Sequence, residues 1–338
     1  MSDAFPIFPD DAPFDDVQAA LWEAGLGDGL PLVPPTAHRL AAMLAGVRDA
    51  NASLGYMPPL FGDLTWRAIA WNAVVAGCRP AELAVVATAA AATLEPEFNL
   101  LGLMTTTGSA CVATLVHGPI VETLGMNASV NCLGPGNRAN ACIGRALSLI
   151  LRNIGGARAE SGDMATVGQP GKYAFCFAEP AESAFPSLGV RRGFAPGASA
   201  VTVLGLSGTA EMLPLDERDT PEAILDPVAR SFVAAFVAGG AYRQPELPQH
   251  AFILPPELAG QLAAQGFDLA RVSAYLHETA RHDGKPVAAS AADIFPIVTG
   301  GPGVKMAQLP LWGGGTRLVT RAVLAFFTPR TDSARGGP

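Results

Sequence analysis

The spacing of apolar and polar positions changes along the chain, and each change marks an element. In "FDDVQAALWEAGL", residues 14–26, Val17, Leu21 and Trp22 share one face at helical spacing. "GDGLPLVPPT" then reads as a turn, a short apolar strand and a Pro-Pro stop, with Thr36 placed to cap a helix over "AHRLAAMLAGV". Nearly continuous apolar runs predict helices at 64–77 and 80–94, the second with Pro80 suited to its first turn. Arg79, Pro80 and Glu82 separate the two runs, and neither reaches the roughly 20 apolar residues of a membrane span.

"LLGLMTTT" and "ACVATLVHGPI" read as buried strands, "PIVETLG" as a short helix and "ASVNC" as a strand. The stretch "CLGPGNRANACIGRALSLILRNIGG", Cys132–Gly156, sets a tight turn before a helix that is apolar around most of its circumference. Further on, "YAFCFAE", "AVTVLGL", "HAFILP" and "FPIVTGGPG" predict strands, with "TRLVTRAVLAF" closing a sheet. "TPEAILDPVARSFVAAFVAGG", "PPELAGQLAAQG" and "DLARVSAYLHETARH" predict helices. This alternation points to an α/β fold with mixed or mostly parallel sheets and buried helices. The expected plan is an extended arm over 1–15 and an α/β lobe over 16–210. Residues 211–327 form a second lobe or continue the first, across a weak boundary near 207–220, and 328–338 form a mobile tail.

Composition narrows the partners. Hydrophobic residues make up 49% of the 338 and charged residues 15%, more apolar surface than one chain comfortably hides, so a homo-oligomer is expected. A net charge of -8 argues against nucleic acid, whose phosphates need a basic face. The five cysteines form no CxxC pair, and the acidic, proline-rich start is unlike a secretory signal, so a cytoplasmic chain with reduced thiols is expected. No histidine–carboxylate spacing suits a metal and no nucleotide fingerprint appears; neither metal nor cofactor is expected.

Three Pro-Gly turns carry the candidate chemistry. Each is followed within two residues by a cation: Arg138 after Gly134-Pro135-Gly136, Lys172 after Pro170-Gly171, and Lys305 after Gly301-Pro302-Gly303. The first opens a helix, where free N–H groups and the dipole favour an anion. Gly136, Asn137, Arg138 and Asn140 are therefore candidate ligands for a small carboxylate or amide, or else a cap and an ion pair that merely start a buried helix. Thr106 and Thr107, in a polar run between the expected strands, and Lys305 join them as candidate substrate contacts. Cys132 stands just before the helix, where dipole and arginine would lower a thiol pKa and make it a candidate nucleophile. Asp163, in "SGDMAT", lies close in sequence to Lys172, and the two suit proton transfer. His117, beside Gly118-Pro119, reads as a turn histidine.

The blocks "VVAGCRPAEL", "EPEFNL", "GPGNRANACIGRAL", "NIGGA", "GDMATVGQPGKY" and "RGFAP" resemble a widespread, uncharacterised bacterial family associated with UGSC-type (seleno)proteins. The resemblance spans roughly residues 28–325 and implies a thiol or selenol partner chemistry, although this chain has no UGSC motif. The expected function is a cofactor-independent enzyme of hydrolase or lyase type, or its substrate-binding subunit, acting on a small anionic metabolite. The competing expectation is a non-catalytic partner of a second, thiol-bearing subunit.

Overall fold

The computed structural model describes residues 5–215 and 220–324. From the amino terminus, α1 (Phe14–Glu23) and α2 (Ala37–Met43) precede a hairpin of β1 (Ser53–Met57) and β2 (Gly62–Thr65). Helices α3 (Trp66–Ala76), α4 (Leu83–Ala92) and α5 (Leu100–Thr105) lead to β3 (Cys111–His117). Then come α6 (Ile120–Thr123), α7 (Arg138–Asn153), β4 (Cys176–Ala178), α8 (Leu188–Arg191) and β5 (Ala200–Leu206). The second half runs through β6 (Ala210–Met212), α9 (Pro221–Ala238), β7 (His250–Leu254), α10 (Pro256–Ala264) and α11 (Leu269–Thr279). The short strands β8 (Arg281–His282) and β9 (Lys285–Pro286) precede β10 (Ile294–Val298), β11 (Met306–Leu309) and β12 (Val319–Ala322).

Two mixed four-stranded sheets result, ordered β12-β5-β3-β4 and β10-β7-β11-β6. Each holds one parallel pair, β3 with β4 and β7 with β10, and the chain between the members of each pair is helical. That is the connection parallel neighbours require. Successive strand side chains point to opposite faces, and here both faces are buried. On one face Ala113 and Leu115 of β3 and Leu204 of β5 meet Ile253 of β7 and Ile297 of β10 in a shared cluster. On the other face Val112, Val116, Val201 and Val203 pack under α3, α4 and α7. Phe252, Leu254, Ile294 and Val298 do the same under α9, α10 and α11. The layers are therefore helix, sheet, sheet, helix, an α/β fold in which continuous apolar runs, not alternating ones, mark the strands. No helix among the described residues is long and apolar enough to cross a membrane.

The chain leaves the first sheet at Leu206 and enters the second at Ala210, inside the expected boundary region, but β12 returns to the first sheet beside β5. The arm is tied down at Phe5, which stacks on Trp71 at 4.7 Å, while Trp71 Nε1 donates to Pro6 O at 2.9 Å. The expected tail, 328–338, lies outside the described residues.

Three expected strands are not strands. Residues 100–105 form α5, because Asn99 adopts the left-handed conformation and its side chain accepts the Gly102 N–H. In "ASVNC", Asn127 accepts the Ser129 N–H and Asn131 sits at φ 60, so the segment turns. "PLVPP" has three prolines without donors, and Leu32 is held instead by the Gln18 amide at 2.8 and 2.9 Å. The β1–β2 hairpin and β11 went unexpected, being short and without clear alternation.

His250 on β7 is buried, stacks on Phe232 at 4.6 Å, and donates from Nε2 to Val287 O at 3.0 Å. Burial lowers its pKa from 6.5 to about 4. Between those values the unfolded chain binds the proton and the folded chain does not. Stability is therefore full above pH 6.5 and is lost as pH falls toward 4, by roughly 3 kcal/mol. Urea unfolding at pH 7 and pH 4.5 should show this loss, and His250→Gln should flatten it.

Candidate functional site

Helix α7 begins in a turn whose polar side chains are spent locally. Asn137 caps the helix by accepting the Asn140 N–H at 2.9 Å, and its own amide donates to Gly125 O at 2.9 Å. Gly136, at φ 118, takes a conformation open mainly to glycine. Asn140 exchanges two hydrogen bonds of 2.9 Å with the Asn127 backbone. Arg138 reaches back to Glu82 with both terminal nitrogens, one of them 3.0 Å from Oε2. Glu82 is 2% exposed and also accepts the Arg79 N–H at 2.8 Å. The expected anion-binding arginine is thus an ion-pair partner, and Asn137 and Asn140 are a cap and a loop clamp. A buried carboxylate forces this, because it must be neutralised inside the protein.

The first two Pro-Gly turns meet all the same. They face each other across a cleft of about 400 Å³, with Leu133, Gly134 and Pro135 on one side and Gln169, Pro170 and Gly171 on the other. Asn140 and Ala141 of α7, Ala174, Phe175 and Cys176 leading into β4, and Thr209 complete the wall. Gln169 is fixed by donating from Nε2 to Leu206 O at 3.0 Å and to Ser109 O. Its Oε1 accepts nothing from the described residues. The lining carries no charged side chain. Directly beyond Gly171, Lys172 Nζ meets Asp163 Oδ2 at 2.5 Å, and both side chains are about a quarter exposed, 25% and 23%. Asp163 Oδ1 accepts the Ala165 N–H at 3.1 Å, which orients the carboxylate toward the lysine.

The remaining candidates fall outside this arrangement. Lys305 is exposed, pairs with Glu211 at 2.7 Å and does not line the cleft. Its loop instead supports the segment leading to the first turn, since Thr299 and Gly300 bond Ala128 O and Gly301 packs closely on Val130. Thr106 accepts the Gly108 N–H and only closes its own turn, whereas Thr107 O accepts the Thr166 N–H and braces the Asp163 segment; neither lines the cleft. Cys132 is buried, and burial raises its thiol pKa; the Thr299 hydroxyl and backbone hydrogen bonds oppose this only in part. The expected lowering by Arg138 does not occur, because that guanidinium belongs to Glu82. Burial likewise raises Cys176, and pushes Cys111 up to about 12.

One buried polar network escaped the sequence. His117 Nδ1 lies 2.6 Å from Glu179 Oε2, and Nε2 lies 2.7 Å from Thr202 Oγ1, which in turn meets Thr320 Oγ1 at 2.8 Å. Glu179 also accepts the Leu188 N–H at 2.7 Å. His117 is 1% exposed and Glu179 3%, so no substrate reaches them, and the network joins β3, β5 and β12 from within. The available signal was a polar residue ending each of two apolar runs, since His117 and Glu179 directly follow the paired Val116 and Ala178. Among the described residues no group of three or more His, Cys, Asp or Glu is arranged for a metal ion.

No family model matches the chain, and no curated protein matches it.

Removing Arg138 should strand the Glu82 charge. Arg138→Ala is expected to cost roughly 2–4 kcal/mol by urea unfolding, below the figure for a fully buried pair because 37% of the arginine side chain is exposed. Adding Glu82→Gln should recover part of that loss. A cost under about 0.5 kcal/mol would make the pair an ordinary surface bridge.

Proposed function

We propose that the protein is an enzyme of hydrolase or lyase type, or the substrate-binding subunit of one, that needs no cofactor. Its substrate is a small amide- or carboxylate-bearing metabolite held in the cleft between the two Pro-Gly turns. One observation carries this reading: Lys172, the residue after the lining glycine Gly171, pairs with Asp163, which offers a proton donor and an acceptor one residue along the chain from a pocket of small-molecule size. The uncharged lining favours the amide end of the expected substrate range, with Gln169 Oε1 open to a substrate N–H. Lys172 then stabilises charge developing on a substrate oxygen or delivers a proton. Asp163 holds the ammonium and accepts the proton that an attacking water or the substrate itself releases in the same step. No thiol nucleophile enters, since burial keeps Cys132 and Cys176 protonated at neutral pH.

A second reading has the chain as a non-catalytic partner subunit of a thiol or selenol redox protein, in line with the family resemblance. The observation favouring it is the apolar character of the loops that frame the cleft. Val130, Met164, Val167 and Tyr173 are each at least half exposed, and Val167 is 88% exposed. Such residues suit a protein surface more than a metabolite.

A panel of small amides and carboxylates, screened by thermal shift, separates the readings. A binder from the panel should raise the melting temperature of the wild type. Ala141→Leu, a helix-compatible substitution on an exposed position that fills the cleft, should remove that rise. Lys172→Met and Asp163→Asn should keep the rise while turnover falls on the order of 100-fold or more. Full turnover in both variants would remove the pair from the chemistry. No binder at all, together with a stable complex with a second chain, would favour the partner reading.

A further inference from the structure

Helix α7 carries two arginines beyond its first turn and loop 154–158 adds a third, but a nearby carboxylate satisfies only one of them. Arg145 takes both oxygens of Asp28, from Nε and Nη2 at 2.8 Å each, and also bonds Pro31 O and Leu30 O. Asp28 Oδ1 additionally accepts the Leu30 N–H at 3.1 Å, so this carboxylate is fully used. Arg152 lies two turns further along the same helix face as Arg145. Arg158 follows in a loop made rigid by its own carbonyl, which accepts the N–H groups of Ser161, Gly162 and Asp163. Its guanidinium lies over the turn after α1, where a Cβ on Gly25 would stand 3.4 Å from Nη1. Asn153 fastens that same turn to α7 by donating to Leu26 O at 3.0 Å.

Among the described residues neither Arg152 nor Arg158 has an ion-pair partner, and the Nε of each is buried without a hydrogen-bond acceptor. Burial first, and then the charge of Arg158, holds the Arg152 guanidinium below its ordinary range; Asp28 opposes this only partly. Two neighbouring guanidiniums that repel each other, in a chain with net charge -8, are an arrangement that an external dianion would relieve. The C-terminal end of α7 offsets part of the charge on Arg152, yet it offers Arg158 nothing comparable.

We propose that Arg152, Arg158 and the turn Gly25–Asp28 form a binding site for a phosphate-type oxyanion, either inorganic phosphate or the phosphoryl group of a phosphomonoester. The site is separate from the cleft and stands or falls independently of the function proposed for it. Planar guanidinium forks match a tetrahedral oxyanion, and the terminal nitrogens of Arg152 and Arg158, which make no hydrogen bond among the described residues and unlike Nε are not buried, supply the donors.

Thermal shift and calorimetry with inorganic phosphate, and separately with glycerol phosphate, against chloride at matched ionic strength, test the proposal. The wild type should show a saturable rise in melting temperature. Arg152→Gln and Arg158→Gln should each weaken apparent phosphate affinity at least tenfold, with a ligand-free melting temperature equal to or above that of the wild type. Tighter binding of glycerol phosphate than of phosphate would assign the site to a phosphomonoester, and the reverse to the free ion. A wild-type rise no larger than that of the double variant would overturn the proposal. So would a fall in ligand-free melting temperature in both single variants with the phosphate response intact. Modification of wild-type arginines by phenylglyoxal, mapped by peptide mass, gives a reading that needs no variant. Phosphate should protect Arg152 and Arg158 selectively, and equal labelling with and without phosphate would overturn the site.

Discussion

Helix α7 lies against the first sheet at a distance that only a glycine permits. A Cβ on Gly144 would sit 2.8 Å from Phe175 N and 3.1 Å from the Cys176 Cβ, and any larger residue would push helix and strand apart. Much else follows from that contact. It brings the turn before α7 opposite the turn before β4, and so creates the cleft between Leu133–Pro135 and Gln169–Gly171. It also buries Ile143, Leu147 and Ile150 among α3, α4 and the outer face of the sheet, where close packing leaves no slack.

Charge is used sparingly in this chain, and two of its ion pairs work as latches on the same helix. Arg138 ties the start of α7 to Glu82 at the entry to α4, and Arg145 ties its middle to Asp28 in the turn before the 30–35 segment. Elsewhere Arg317 meets Asp293 at 2.8 Å, and Gln249 joins them. In each case a bidentate or multiply bonded group holds a loop that hydrophobic burial cannot orient. Apolar contact is strong but non-directional, whereas a guanidinium fork fixes an angle.

The same economy shapes the cleft. Its lining of backbone, amide and apolar side chains is what remains once the nearby charges are committed to holding the walls in place. Asn137 and Asn140 keep the first turn in position, and Gln169 ties the second to β5 through Leu206 O. Residues with the chemistry to bind a ligand are thus turned to preorganising the site. The ion pair of Asp163 and Lys172 follows directly on the lining residue Gly171. The inner face between the sheets holds a different solution, the His117–Glu179–Thr202 chain, where polar groups are fully paired with each other and sealed from solvent.

The sequence by itself determined most of the helices, since their periodicity and caps are local: Thr36, Asn137 and Thr220 each accept the N–H three residues on, and Thr65 does the same for α3. It also determined the long buried strands, because "CVATLVH" and "AVTVLGL" have apolar side chains for two faces. Short segments were not determined, as with α5, whose start depends on Asn99 adopting a left-handed conformation and bonding Gly314 O some 215 residues away. The candidate site divided in the same way. The two turns and the Asp163–Lys172 proximity were readable from spacing, but the partners of Arg138, Lys305 and Cys132 were not. A side chain's charge or thiol is fixed by residue type, whereas its availability depends on what long-range packing places beside it. Glu82 lies 56 residues from Arg138 and Glu211 lies 94 from Lys305, and only the folded sheets and α7 bring them together.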